Sequence, residues 1–346
     1  MVVKSLKIFC SVALCLILGF ASAFYAFKSS YVPTHLRDQG TKTEEIASGE
    51  DVEKEKETDK EATEIEKPEP KPKEKTELEK LVEKSKRVNV LVFGHDGARA
   101  DTMMVVSYDT NSKLVDIISV PRDTYYYSEG YDLAQQDKIN AVYGLRGEGG
   151  GSLKLKDAVS NVLDIPIHYY VKVNYKGVSA IVKTIGGVEV DVPFDMDYDD
   201  PWAKPELHIH FEKGYQVING DDAVSYLRWR KNNDGTGDNG DIGRIGRQQK
   251  FVLAAIKKAI GFKLPKVIDL TYDYVRTDLT QEDAIYFGSD VVGFDFGDIK
   301  KYTLPGDVKN KKGISYYYGD EDDVESLMTT IYQRGNSEHV AQNDDD

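Results

Sequence analysis

The sequence predicts an α/β domain, a β-sheet covered by helices, preceded by one N-terminal transmembrane helix and a disordered linker. Three observations predict it. From residue 88 onward, short apolar runs of strand length interleave with segments of helical spacing. Near the N-terminus, about 20 consecutive residues carry no charge. Between these regions, residues 51–80 are roughly two-thirds Asp, Glu or Lys, with no aromatic residue.

The uncharged run lies between Lys7 and Lys28 and is long enough to cross a bilayer as a helix. Lys4 and Lys7 precede it. Residues 1–7 are therefore expected to stay in the cytoplasm and residues 8–27 to form a signal-anchor helix, giving a single-pass type II protein of the cell membrane. A cleaved signal peptide is the alternative, because residues 21–23 read Ala-Ser-Ala. The length of the run favours a retained anchor, and either reading puts the folded part outside the cell. Both cysteines, Cys10 and Cys15, lie in this run. The exported part then needs no disulfide, thiolate metal site or cysteine nucleophile.

Residues 28–80 read as a disordered linker. Its charged part cannot bury enough apolar surface to offset its ordering entropy. The stretch KPEPKP (67–72) favours extended backbone. As a flexible coil, the linker's part from 29 to 75, about 45 residues, would span about 35–40 Å. The folded domain is expected over residues 81–335, with a frayed tail at 336–346.

Within the domain, VNVLVFG (88–94) is an apolar run ending in glycine, as a buried strand would be. TMMVVSYD (102–109) and LVDIISV (114–120) follow as a hairpin around TNSK. SLKLKDAVSNVLD (152–164) has helical spacing, with Ser152 as its expected N-cap. IHYYVKVNY (167–175) reads as a strand, KGVSAIVKTIGG (176–187) as a helix closed by glycines, and VEVDV (188–192) as an alternating strand. Helices are expected at 220–227, capped by Asn219, and at 247–261. The C-terminal part adds helices at 280–292 and 321–333, and strands at 300–305 and 313–318.

Three clusters carry chemistry. The first is GHDGARAD (94–101), at the end of a buried strand, where α/β folds tend to place their sites. Asp96 and Asp101 bracket Arg99; two such carboxylates suit a hard cation, though an ordinary polar turn would look the same. The second is SVPRD (119–123), where proline ends the ladder and leaves Arg122 at the strand tip. A surface ion pair between Arg122 and Asp123 is the alternative. Lys138 and Asn140 follow it.

The third cluster is RWRKNNDGTGDNGDIGRIGRQQ (228–249). On a helix Arg228 and Arg230 would diverge by about 200°. On extended backbone they share a face opposite Trp229. The preceding helix is therefore expected to end near Leu227. Arg244, Arg247 and Gln248 share a face of the next helix and are expected on its first turn. Six of the eleven arginines lie in these three clusters, although lysine is about three times commoner. The planar guanidinium suits bidentate contact with phosphate or carboxylate, which a lysine cannot match. Beside a helix N-terminus such arginines would make an anion site. The net charge of -14 argues against nucleic acid as that anion. A diphosphate fits better, because it needs several cations and can bridge to a metal.

Other motifs fail on inspection. Counting from Asp234 as a calcium loop puts Asn239 where glycine is needed and Ile245 where glutamate is needed. GEGGGS (147–152) lacks the Gly-Lys-Ser/Thr of a P-loop. His208 and His210 alternate on a strand, but no third ligand lies nearby in sequence, which argues against zinc.

NVLVFGHD, RADTMMVVSYD, IISVPRDT, KINAVY, the stretch 159–198, KGYQVINGDDAVSYLRWRK and GDIGRIGRQQKFV, in this order, resemble the LytR-CpsA-Psr family of bacterial cell-envelope proteins. The matching pieces cover about 88–260. The resemblance implies an α/β/α domain with a central mixed sheet. It implies a phosphotransferase that moves an anionic glycopolymer, such as teichoic acid or capsule, from a polyprenyl-diphosphate carrier to peptidoglycan. By the same resemblance Arg99, Arg122, Arg228, Arg230 and Arg244 bind the diphosphate, with Arg247, Lys138 and Gln248 close by. Asp96 and Asp101 hold Mg²⁺, or alternatively Mn²⁺. Arg99, Asp101 and Arg122 are the expected catalytic set, and Asp96, Asp101 and Asp241 are candidate bases. An apolar tunnel for the lipid is implied between the sheet and helices at 158–163, 178–185 and 251–260. The insert NNDGTGDNG (232–240) departs from the family pattern and is read as a mobile rim. Hydrolysis of the diphosphate, a non-catalytic envelope regulator and a glycan-binding protein are the alternatives.

Overall fold

The computed structural model describes residues 28–36, 74–131, 136–145, 150–202, 206–237, 240–259, 274–290 and 296–342. The chain divides into two compact units, Glu74–Leu279 with Val291–Asp346, and Met1–Lys73 with Thr280–Asp290. The expected anchor at 8–27 lies outside the described residues. Among the described residues no helix is long and apolar enough to cross a membrane.

In the larger unit the chain runs α1 (Glu77–Lys84), β1 (Arg87–Asp96), β2 (Arg99–Asp109), β3 (Val115–Val120), α2 (Ile139–Val142), α3 (Gly151–Leu163), β4 (Tyr169–Val173) and α4 (Tyr175–Ile185). It continues through β5 (Val188–Val192), β6 (Met196–Asp200), β7 (Leu207–Phe211), β8 (Gly214–Ile218), α5 (Gly220–Arg228), α6 (Gly240–Ala259) and β9 (Val275–Thr277). After α7 (Gln281–Asp290), which belongs to the smaller unit, come β10 (Lys300–Thr303), β11 (Gly306–Lys311), β12 (Ile314–Gly319) and α8 (Glu321–Gln342).

Six strands form the central sheet in the order β10-β3-β2-β1-β4-β9. β1, β2 and β3 are an antiparallel meander, and β4 and β10 add parallel to β1 and β3. The sheet is therefore mixed, and helices flank it. Residues 97–98 turn β1 into β2, with Gly97 at φ 56° in the left-handed region that glycine adopts without strain. The β1–β2 register slips between Phe93 and His95, a bulge that re-aims the strand end.

The two faces of the sheet serve different ends. Leu91, Phe93, Met103, Val105, Ile118 and Val120 meet Leu155, Ala158, Val159 and Leu163 of α3 and Val324, Met328 and Ile331 of α8 in one core. A second core joins Val182 and Ile185 of α4, the alternating Val188, Val190 and Val192 of β5, Met196, Ile209, and Tyr226, Trp229 and Phe251 around α5 and α6.

Several boundaries differ from the sequence expectation. α1 begins inside the expected linker and crosses its end at residue 80: Thr76 and Glu79 form a reciprocal capping box, and Leu78 is fully buried in the first core. One leucine buried this way contributes about 1.5–3 kcal/mol, and Leu81 and Val82 pack against the same core. α8 continues to Gln342, past the expected end at 335. α3 is capped by Gly150 rather than Ser152, which lies within the helix. Asn219 does cap α5, accepting from the amides of Asp221 and Asp222.

A buried polar network ties the meander to α8. Arg87 and Asp116 pair at 2.9 Å with both side chains inaccessible, and Arg334 of α8 reaches the other Asp116 oxygen at 2.6 Å. Asn89 donates to the Tyr332 hydroxyl at 2.8 Å. Removing one partner of such a network strands the other charges in a low-dielectric site. Asp116→Ala should therefore lose about 3–5 kcal/mol of stability, read from chemical denaturation.

In the smaller unit the described residues are 28–36 and 280–290, and part of 28–36 is helical where a linker was expected. Asp283 organises it. Its carboxylate accepts from the Tyr31 hydroxyl at 2.9 Å, the Thr34 amide at 3.0 Å and the Thr280 hydroxyl at 2.9 Å. Burial pushes the Asp283 carboxyl up, but the hydrogen bonds from Thr34, Thr280 and Tyr31 outweigh it and hold it below the ordinary aspartate range. A depressed folded value stabilises above the unfolded value of about 3.9 and is lost as pH falls through the folded one. Amide protection of 31–36, measured by hydrogen exchange, should therefore hold at pH 5 and above and fall below about pH 4. Asp283→Asn should remove that acid-dependent step.

Candidate active site

The sheet face turned away from the first core borders a cavity of about 370 Å³. The β1–β2 end supplies Arg99 and Asp101, two apart on β2 and so on one face. Arg122 enters just beyond Pro121, in a turn closed by the Thr124 amide on the Pro121 carbonyl at 3.0 Å. Tyr175 comes from the start of α4, Arg228 and Arg230 from the end of α5, and Arg244 and Gln248 from α6.

Asp101 is the hub of the polar wall. One oxygen accepts from Arg122 at 3.1 Å and the other from the Tyr175 hydroxyl at 3.0 Å. The Tyr175 ring lies under the Arg228 guanidinium, 5.3 Å from its centroid, a cation–π contact. Arg99 donates to the Asn140 side-chain oxygen at 3.1 Å. The Arg122 Nε is buried and has no hydrogen-bond partner among the described residues. Among the described residues five arginines and one carboxylate, that of Asp101, line this cavity, a local positive excess in a chain of net charge -14. Guanidinium groups stay charged at any physiological pH, so the cavity is built for an anion with several acceptor oxygens.

The same cavity has an apolar lining as well: Val92, Met104, Val173, Val178, Val224, Leu227 and Val252. Two of the three expected tunnel helices contribute, through Val178 and Val252. The third, at 158–163, packs into the core on the other face of the sheet. Val224 and Leu227 of α5 take the remaining place, because α5 rather than α3 lies on the cavity side.

The third cluster folds mostly as its spacing predicts. α5 includes Arg228, and the backbone turns extended at Trp229 (φ -57°, ψ 139°). Trp229 is fully buried while Arg228 and Arg230 both reach the cavity. α6, however, begins at Gly240, earlier than expected, so Arg244 sits beyond its first turn. Arg247 lies apart from the other arginines of the cluster. It does not line the cavity; its guanidinium donates to the Trp229 carbonyl and lies over the Trp229 ring at 4.9 Å. Gln248 lines the cavity and also donates to the Leu227 carbonyl at 3.0 Å. Together they satisfy carbonyls at the end of α5 that have no partner within the helix.

Lys138 is also absent from the cavity wall: it pairs with Asp123 at 3.1 Å and lies over the Tyr316 ring. Asp96 ends β1, but its side chain and that of Asp241 lie outside the described residues. The insert differs from its reading as a mobile rim over its described part. Asn232 accepts from the Asp197 amide at 2.7 Å, and Asn233 exchanges two hydrogen bonds with the Asp199 backbone, so the loop is laced to β6. Asn140 stands with Lys138 beside the second cluster, whereas Tyr175 escaped sequence reading as a site residue; it read only as the end of a strand.

A family model described as the LytR_cpsA_psr family matches residues 47–333. The polyisoprenyl-teichoic acid–peptidoglycan teichoic acid transferase TagU of Bacillus subtilis (strain 168) is 30% identical over 259 residues, 72% of this chain and 78% of that protein. TagV of the same strain, named as the same kind of transferase, is 30% identical over 241 residues, 68% of this chain and 59% of that protein. The crystal structure of B. subtilis TagV matches with a TM-score of 0.60 at 27% identity, covering 73% of this chain and 98% of that one. Sequence, topology and the arginine-lined cavity converge: the chain belongs to the LytR-CpsA-Psr family.

Proposed function

We propose that this protein is a phosphotransferase that moves an anionic glycopolymer from a polyprenyl-diphosphate carrier to peptidoglycan. One observation carries the reading. Arg99, Arg122, Arg228, Arg230 and Arg244 line one cavity together with valine, leucine and methionine side chains. A ligand complementary to both linings has a polyanionic head and a hydrocarbon tail, as a polyprenyl diphosphate has. The TagU and TagV relatives, named as teichoic acid transferases, support the same class.

In this reaction a peptidoglycan hydroxyl attacks the phosphorus nearer the polymer. The bond to the bridging oxygen breaks, polyprenyl phosphate leaves with that oxygen, and the polymer stays attached through a phosphodiester. Phosphoryl transfer asks the protein for position and charge neutralisation rather than covalent work. The arginines supply both. Arg122 is aimed by Asp101. Arg228 is steadied by the Tyr175 ring and Arg99 by Asn140. The Gln248 and Arg247 clamp fixes the end of α5 that carries Arg228 and Arg230. The excess positive charge holds the diphosphate as negative charge accumulates on the leaving oxygen.

A divalent cation fits this donor set. Each Asp101 oxygen accepts one hydrogen bond, and a carboxylate has about four lone-pair sites, so capacity for a hard ion is left. Asp101, with Asp96 from the end of β1, would hold Mg²⁺, or alternatively Mn²⁺. When bound, such an ion neutralises phosphate oxygens and adds to the charge supplied by the arginines. The type II topology expected from the uncharged run at 8–27 would put this domain outside the cell, where the carrier's lipid and the wall acceptor meet.

Transfer of a labelled glycan from polyprenyl diphosphate to peptidoglycan tests the reading. Arg122→Ala and Asp101→Ala should each lower the rate about 10²–10³-fold. Unchanged rates in both would place the chemistry elsewhere. Release of polyprenyl phosphate at equal rates with and without peptidoglycan would instead mean hydrolysis. Chelation of divalent cations should slow transfer and added Mg²⁺ restore it; full activity in chelator would remove the ion from the scheme.

A further inference from the structure

The β6–β7 ribbon carries a second constellation of ligating side chains, apart from the arginine cavity. The strands pair antiparallel with Asp199 opposite His208 and Asp197 opposite His210. Side chains alternate along a strand, so these four share one face. The residues between them fill the other face: Ile209 is fully buried in the second core and Tyr198 packs against it. All four ligating side chains are exposed.

Their atoms already converge. His208 Nδ1 lies 2.5 Å and His210 Nε2 3.4 Å from the same Asp199 oxygen, and His210 Nδ1 lies 2.7 Å from Asp197. One ligand atom from each of Asp199, His208 and His210 falls within 4.8 Å of the others. A tetrahedral zinc with bonds of about 2.0–2.1 Å holds its ligand atoms about 3.3 Å apart. The closer contacts would open by under about 1 Å, which exposed side chains can do without disturbing a core.

From these positions we propose that the ribbon is a binding site for a divalent transition metal of the zinc class. His208, His210 and Asp199 are its ligands, and Asp197 is the fourth or a bracket for the His210 ring. Two imidazoles with carboxylates select zinc, nickel or copper over magnesium or calcium, which want oxygen alone. The strand that presents the aspartates is held along its edge: Asn232 and Asn233 bond its backbone at Asp197 and Asp199. The same two asparagines begin the insert that follows Arg230. A metal bridging β6 to β7 would therefore brace the strand on which that loop hangs. This site stands independently of the transfer reaction.

Calorimetric titration of the untagged full-length chain in detergent with zinc chloride tests the proposal. One zinc per chain should bind with micromolar or tighter affinity, and millimolar Mg²⁺ should not displace it. The double variant His208→Ala, His210→Ala should weaken binding at least tenfold, while its metal-free melting temperature stays that of the parent. Co²⁺ added to the parent should give the visible absorption of a tetrahedral site, lost in Asp197→Asn, Asp199→Asn. No binding by the parent, undiminished binding by the double histidine variant, or the absence of a tetrahedral Co²⁺ spectrum would each overturn it.

Discussion

Five guanidinium groups facing one cavity repel one another, and much of the domain is arranged to keep them there. Of three described restraints, one is an acid, one an aromatic ring and one an amide. Asp101 serves Arg122, the Tyr175 ring serves Arg228, and Asn140 serves Arg99. A full complement of carboxylates would neutralise the wall and leave nothing for an anion to gain. Amides and rings orient a guanidinium without cancelling its charge. The cost is a site under electrostatic tension until an anion enters, and the rigid frame around it has to bear that tension.

The frame is the sheet used on both faces. One face packs against α3 and α8 and holds the Arg87–Asp116–Arg334 network; the other lines the cavity with Val92 and Met104. Side chains therefore alternate between stability and function along the same strand: Met103 and Val105 are core, while Asp101, Thr102 and Met104 border the cavity. The bulge near Gly94 turns the end of β1 toward the site. α5 and α6 close the far side, and Gln248 and Arg247 fasten one to the other through carbonyls at the end of α5. Gln249, next in sequence, bonds Ser119 of β3 and the Tyr302 carbonyl of β10, so α6 is also anchored to the sheet.

What could be read from sequence follows from how local each signal is. Arg99, Arg122, Arg228 and Arg230 were legible because residue type, strand ends and the period-two argument around Trp229 are local facts. Arg247 shares a helix face with Arg244, and spacing alone assigns both to the ligand. Its partner is the Trp229 carbonyl, which only the path of the loop brings near. The insert looked like a rim because its glycines and aspartates resemble a loop; its two asparagines find β6, some 35 residues away. α1 was hidden because its capping box lies in a run of like composition, and only Leu78, Leu81 and Val82 decide its burial. The third ligand for His208 and His210 was invisible because it lies across a strand pair whose register the sequence does not print.

The charged and apolar linings of the cavity impose a joint requirement. A soluble diphosphate would satisfy the arginines but leave Val178, Val224, Leu227 and Val252 against water, and a plain lipid would strand the guanidinium groups without acceptors. Neither half-fit recovers both the apolar burial and the charge neutralisation. Because α5 and α6 each carry both charged and apolar lining residues, their arginines meet the head as their apolar faces, with that of α4, meet the tail. Lipid binding and diphosphate positioning are then coupled through the same helices. Energy from the remote, unreactive tail can hold the reacting phosphorus in place, which is how binding far from the chemistry lowers a barrier.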